Sequence, residues 1–330
     1  MMLAFTEPPM RSTLNLLLGF FTSLSFATAA AAQAYPSRPV RLVIPFPPGG
    51  SNDVVGRAIG MQLAERLGQG VVVDNRGGAG GVIGTDQAAK SAPDGYTLLL
   101  ISIAFPTSVA FNRLPQDAMK SFAPVAMLGS GPALLVVPAA SPANSVRDLL
   151  NLLKHKPGDL NAAAAGIGSF QHMATELFRL QSKTDFVIVQ YKGGGPALTD
   201  VIAGQVQMNL GSLVQMVPHV RSGKLKALGV SSTQRMAALP EVPTISEAGL
   251  PGFEVSNWWG ILAPAGTPGP VVDRLHREVT AIQDSPETRK RFDLEGAEVV
   301  RMKPPQFAAF VAQETEKWTR VVKEAGIKPE

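Results

Sequence analysis

Short apolar runs rich in β-branched residues alternate along this chain with longer stretches whose apolar positions recur every three or four residues. The runs predict strands at residues 40–45, 71–74, 97–103, 133–137, 160–164, 186–191, 206–210, 225–230 and 260–263. The longer stretches predict helices at 53–67, 84–91, 145–155, 171–181, 197–203, 216–222, 270–283, 286–295 and 304–325. Such alternation points to an α/β architecture with mostly parallel sheets. In the first helix, Val55, Ile59, Leu63 and Leu67 fall on one face, Ser51, Asn52 and Asp53 are good capping residues, and Gly68 suits the C-terminal cap.

At three places an apolar run ends in a glycine-bearing loop that opens a helix. Residues 40–45 lead into Pro47-Pro48-Gly49-Gly50-Ser51-Asn52-Asp53, residues 160–165 into Gly166-Ile167-Gly168-Ser169, and residues 186–191 into Lys192-Gly193-Gly194-Gly195-Pro196. A strand–glycine loop–helix junction aims bare backbone N–H groups and the positive end of a helix dipole at one point. It can therefore cradle an anion without side-chain charge. Several such junctions in one chain suggest a protein that grips a small anion.

Composition narrows the class. Arg11 precedes an apolar stretch at 14–27, and Ala32 and Ala34 fit the small-x-small pattern before a signal-peptidase site. The expectation is an export signal over 1–34, cleaved near Ala34, with an uncleaved anchor as the alternative. The chain has no cysteine, so disulfides, a cysteine zinc site, a cysteine nucleophile and a lipoprotein anchor are excluded. A soluble protein of an exported compartment, the bacterial periplasm, is expected. The formal net charge of +4 is dispersed and not interleaved with aromatics, which argues against nucleic-acid binding. The length favours two lobes, and the lack of a low-complexity linker favours interleaved ones, with turn-rich stretches at 138–142 and 239–251 as candidate bends.

Several motifs have competing readings. Gly78-Ala79-Gly80-Gly81-Val82-Ile83-Gly84 resembles a dinucleotide fingerprint, but its spacing is wrong and no acidic residue follows at the expected distance. Gly193-Gly194-Gly195 lacks the Lys-Ser/Thr ending of a phosphate loop. No cofactor is expected. His155, His172, His219 and His276 show no metal-ligand spacing, so no metal is expected, and His172 alone stands where it could face a ligand. Ser169 is either a helix cap that also donates to a ligand or a bare cap. The GxSxG pattern of a hydrolase elbow is absent around it. Ser102 ends an apolar strand, where it is either a ligand hydroxyl or a turn serine. Trp258-Trp259 could stack on a ligand or pack at the seam between lobes.

The ordered set of segments from Tyr35-Pro36-Ser37-Arg38-Pro39-Val40 through Pro45-Phe46-Pro47-Pro48-Gly49-Gly50, Asp74-Asn75-Arg76-Gly77-Gly78, Pro93-Asp94-Gly95-Tyr96-Thr97 and Gly166-Ile167-Gly168-Ser169 to Trp259-Gly260 and Pro264-Ala265-Gly266-Thr267-Pro268 resembles the solute-binding proteins of the tripartite tricarboxylate transporter family, the Bug receptors. The resemblance implies a two-lobe type II periplasmic-binding fold, a Venus flytrap of mixed sheets flanked by helices. It implies one lobe from 35–132 with 255–330 and another from 133–254. It also implies a receptor without enzymatic activity, expected to be a monomer, that delivers a small carboxylate to membrane permease subunits. By the same resemblance, ligand contacts are carried to Phe46, Gly49, Gly50, Asp53, Ser102, Ser169, His172, Lys192, Gly193 and Gln207. Two acids common in the family are replaced here by Gln207 and Gly211, which suggests a ligand without an ammonium group. An exported hydrolase using Ser169, or a sensor feeding a signalling system, are the alternatives.

Overall fold

The computed structural model describes residues 1–4 and 35–328. The expected export signal lies outside the described residues. The strands are β1 (Val40–Ile44), β2 (Val71–Asn75), β3 (Thr97–Ser102), β4 (Phe122–Pro138), β5 (Asn161–Ala164), β6 (Val187–Gln190), β7 (Met208–Ser212), β8 (Leu225–Val230), β9 (Ser256–Pro264) and β10 (Glu298–Val299). The helices are α1 (Ser51–Leu67), α2 (Val82–Ala89), α3 (Ala104–Ala110), α4 (Val146–His155), α5 (Phe170–Ser182), α6 (Gly194–Ile202), α7 (Leu213–Arg221), α8 (Gly269–Asp284), α9 (Pro286–Glu295) and α10 (Pro304–Glu324). No helix among the described residues is long and apolar enough to cross a membrane.

The strands form one curled sheet in the order β2-β1-β3-β9-β4-β7-β5-β6, with β8 and β10 also paired to β4. Its pivot is β4, a strand of 17 residues that changes partners along its length. From Phe122 to Pro132 it pairs antiparallel with β9, and from Ala133 it pairs antiparallel with β7, with β8 joining it from Leu134. One section of sheet thus holds β1, β2, β3, β9, β10 and the start of β4, and the other holds the end of β4 with β5 to β8. Pairing is parallel where a helix connects neighbours, as in β1 with β2 and β3, and in β5 with β6 and β7. It is antiparallel wherever β4 or β9 takes part, so the sheet is mixed rather than mostly parallel.

The first half of β4 was not legible as a strand because Pro124, Gly129, Gly131 and Pro132 punctuate it. The register shifts between Pro124 and Ala126, so the proline sits at an irregularity where a missing N–H is tolerated. α3 also escaped prediction, being short and buried over most of its length, without a polar face to give it a period.

Each section carries its own apolar core. Val43, Leu99, Ile101 and Leu262 pack with Phe307 and Val311 of α10 on the first. On the second, Phe178, Phe186 and Phe253 form a cluster that also receives Trp318 from farther along α10. The C-terminal helix is therefore shared between the two cores. Trp258 packs edge-on against Phe307 and Phe310, and its indole N–H donates to Glu314 Oε2 at 3.1 Å. Trp258 is accordingly a packing residue.

Gly260 of β9 lies under α10, and a Cβ there would overlap the Phe307 ring. Replacing Gly260 with Ala is expected to destabilise the protein by about 1–3 kcal/mol through overpacking, read as a lower midpoint in urea unfolding.

Candidate functional site

The first wall of the site begins where β1 gives way to α1. Gly49 has φ +84°, a conformation that side-chain-bearing residues rarely adopt. Its N–H donates to Asp53 Oδ2 at 3.0 Å, while Asp53 Oδ1 accepts from Arg57 Nε at 2.9 Å and Asn75 Nδ2 at 3.0 Å. Burial would raise the Asp53 pKa, but the hydrogen bonds from Arg57, Gly49 and Asn75 outweigh it and hold the carboxyl below the usual carboxylate range. Asp53 is therefore occupied in shaping the loop. Asn75 Nδ2 completes the brace by donating to Phe46 O at 3.0 Å.

Behind this loop, Trp259 Nε1 donates to Asn52 Oδ1 at 3.1 Å, and Asn52 Nδ2 donates to Ser102 Oγ at 3.3 Å. Ser102 also accepts weakly from Ala104 N at 3.5 Å. Trp259 is fully buried, so it reaches the site only through Asn52.

The second wall comes from the other sheet section. Ser169 caps α5, its Oγ accepting from His172 N at 3.2 Å. Gln171 Nε2 donates to Gln215 Oε1 at 3.2 Å, and Gln215 Nε2 donates to Gly194 O at 2.7 Å. Where the walls meet, backbone approaches backbone. A Cβ on Gly195 would lie 2.6 Å from Pro48 O, one on Gly193 2.7 Å from Pro47 Cδ, and one on Gly80 2.5 Å from Ile167 O. The Thr107 hydroxyl also bonds the Gly168 carbonyl across this seam.

Between the walls lies a narrow cleft of about 30 Å³. The first residues of α1, α5 and α6 line it, as do Ser212 at the cap of α7 and Gln215 in its first turn. Among the described residues that line it, none is ionisable. Three of them carry buried polar atoms with no partner: Gln171 Oε1, Ser212 Oγ and Asn257 Oδ1. Buried polar groups are normally satisfied, so these atoms mark a space meant for a ligand or water.

Of the residues singled out from sequence, Phe46, Gly50, Ser102 and Ser169 line this cleft. Gly49 and Gly193 sit at the seam beside it. His172 faces a different recess with Glu176 and Arg179. Its Nδ1 accepts from Gly168 N at 3.2 Å, and burial, with the nearby positive charges of Arg113 and Arg179, pushes its pKa down to about 4. Lys192 is exposed and does not line the cleft. Gln207 precedes β7 at the end away from Ser212, and its Oε1 accepts from Asn161 N at 3.0 Å. Sequence reasoning missed Gln171, Gln215 and Asn257 as lining groups. Gln171 carried one signal, standing directly between Ser169 and His172 in the first turn of a helix that opens on a glycine loop.

Residues 55–327 match the model of the tripartite tricarboxylate transporter family receptor. The chain is 39% identical over 312 residues to Protein BugT of Bordetella pertussis, covering 94% of this chain and 96% of BugT. Two solved structures from Rhodopseudomonas palustris are similar throughout. Rpa4515 with adipate is 35% identical with a TM-score of 0.85, covering 90% of this chain and 100% of its own. MatC with bound malate is 36% identical with a TM-score of 0.82, covering 87% and 100%. This agreement bears out the periplasmic-binding fold expected from the sequence. The chain belongs to the tripartite tricarboxylate transporter receptor family, the family of the Bug proteins.

Proposed function

We propose that this protein is a periplasmic receptor that closes on a small organic carboxylate and hands it to the membrane permease subunits of a tripartite tricarboxylate-type transporter. The observation that carries this reading is a cleft in which helix N-termini, hydroxyls and amides stand among Phe46, Ala104, Ala165 and Phe170, with no ionisable side chain among the described lining residues. Oriented N–H groups in an enclosed, poorly polarisable space favour an anion far more than they would in water. The adipate and malate held by two relatives support a carboxylate as that anion.

Lobes of 35–132 with 255–330 and of 133–254 would form the clamp, with the carboxylate held by the Gly50 loop and Ser102 on one side and the Ser169 turn on the other. The change of β4 partners between Pro132 and Ala133 supports that boundary. Closure would give the permease a distinct shape to recognise, coupling capture to delivery. The export signal over 1–34 and action as a monomer belong to the same reading. Phe46 and Gly50 would shape the carboxylate pocket. Asp53, Gly49 and Gly193 would position its walls, and His172, Lys192 and Gln207 would lie outside ligand contact.

A hydrolase using Ser169 finds no support in the geometry. The nearest base in sequence, His172, has its Nδ1 occupied by the Gly168 N–H and its Nε2 turned toward Glu176 Oε1 at 3.7 Å. Ser169 Oγ meets only the backbone N–H of His172 among the hydrogen bonds formed by these residues. A general base must be within hydrogen-bond reach of the proton it removes.

Organic acids screened by thermal shift and calorimetry should include a tight binder. Replacing Ser102 with Ala should weaken it by about 10-fold or more, the loss of a hydrogen bond to a charged group. A protein that bound no carboxylate would contradict the proposal. His172 generates a separate expectation. Its folded pKa of about 4 lies below the ordinary 6.5, so the unfolded chain takes up a proton that the folded one refuses. Stability should therefore fall as pH drops from 6.5 toward about 4 and lose nothing further from this group below that. Urea unfolding across that window should show a shallower pH dependence for His172→Gln than for the parent protein.

A further inference from the structure

The cleft has room for about two or three waters, so an organic acid can enter and leave only when the walls part. What holds the walls together therefore bears on affinity without touching the ligand. Away from the segments where the chain passes between the sheet sections, two hydrogen bonds join the walls among the described residues. Arg221 of α7 donates from Nη2 to Leu294 O near the end of α9, at 3.3 Å. Arg221 is exposed, and water can take its place. The other bond runs from the Thr107 hydroxyl of α3 to the Gly168 carbonyl. Thr107 is fully buried and Gly168 is buried with it, so water does not compete for this bond while the walls are together.

The Gly168 carbonyl belongs to the peptide plane that carries the Ser169 N–H, and Ser169 lines the cleft. Gly168 has φ +80°, its N–H donates to His172 Nδ1 at 3.2 Å, and a Cβ on it would lie 3.4 Å from Thr107 Oγ1 and 3.5 Å from the Phe111 ring. α3 and the residue that follows it thus grip the turn that opens α5. The Thr107 hydroxyl has one proton and two further acceptors in or beside its own helix, Ile103 O at 3.0 Å and Ala104 O at 3.2 Å. When the walls part, that proton can turn back to these carbonyls while Gly168 O passes to water, so neither partner is stranded in the open state. With the walls together, Gly168 O depends on Thr107. We propose that Thr107 is a positioning residue for ligand capture: without touching the ligand, its hydroxyl favours the closed arrangement and holds the Ser169 turn in the wall of the cleft. This rests on the reading of the protein as a carboxylate receptor that closes on its ligand.

The test uses the full protein with succinate, malate, adipate, citrate and benzoate, taking the tightest binder forward. Its Kd is read by calorimetry, its dissociation rate by exchange of the isotope-labelled acid for the unlabelled one, and its association rate as the ratio of the two. Thr107→Val keeps the shape of the side chain and removes the donor, which leaves a buried carbonyl unpaired in the closed state alone. It should bind about 5-fold more weakly or worse, with the loss in faster dissociation and an association rate within about 2-fold of the parent protein. Thr107→Ser keeps the donor and should bind within about 2-fold of the parent. If the valine variant does not fold, Thr107→Ala removes the same donor and is read in the same way. Parent-like affinity in Thr107→Val, an equal loss in Thr107→Ser, or a loss confined to association would overturn the inference and leave the receptor reading intact. Failure of every acid to bind the parent protein would overturn the carboxylate reading itself.

Discussion

An anion withdrawn from water without a partner cation must be met by dipoles that already point at it. The polar groups around the cleft of this protein serve that constraint. Neutral groups contribute little singly, so they must converge and be prevented from turning away. The backbone donors of α1, α5 and α6 are held by their helices. Ser102 is held by Asn52 and Asn52 by Trp259, while Gln171 is held by Gln215 and Gln215 by the Gly194 carbonyl. Asp53 is consumed in bracing the Gly49 loop and so does not oppose the anion directly.

Convergence needs the two walls to come close, and glycine permits it. Gly80 against Ile167, Gly193 against Pro47 and Gly195 against Pro48 are approaches at which any Cβ would intrude. The glycine run at 78–81 thus has a physical explanation unconnected with nucleotides: it turns into α2 and lets the chain pass close to the opposite wall. The long strand β4 carries the chain from one sheet section to the other, and α10 packs on both cores. Those shared elements keep the walls in register beneath the cleft.

Much of this was legible in the sequence, and what was not has identifiable causes. Apolar period and caps located β1, β3, α1, α5 and α8 closely. The starts of α6 and α7 were expected at 197 and 216 but lie at Gly194 and Leu213. At α6 the missed turn holds Gly194, Gly195 and Pro196, poor helix formers that the tertiary setting overrides. Those missed first turns are the ones that present Gly194 and Gln215 to the site. Gln171, Gln215 and Asn257 carry no motif, because an amide becomes specific only when a distant partner orients it. His172 and Lys192 drew attention by chemistry and proximity to glycine loops. One is turned to another recess by its bond to Gly168, and the other is left in solvent.

The central claim is that neutral, pre-aimed groups hold the carboxylate. A crystal structure of the protein with its tightest-binding acid tests it most directly. Carboxylate oxygens should lie within hydrogen-bond distance of Ser102 Oγ and of the first N–H groups of the helices, with no lysine, arginine or histidine side chain in contact. A carboxylate paired with Lys192 or another cationic side chain, or bound outside this cleft, would contradict it.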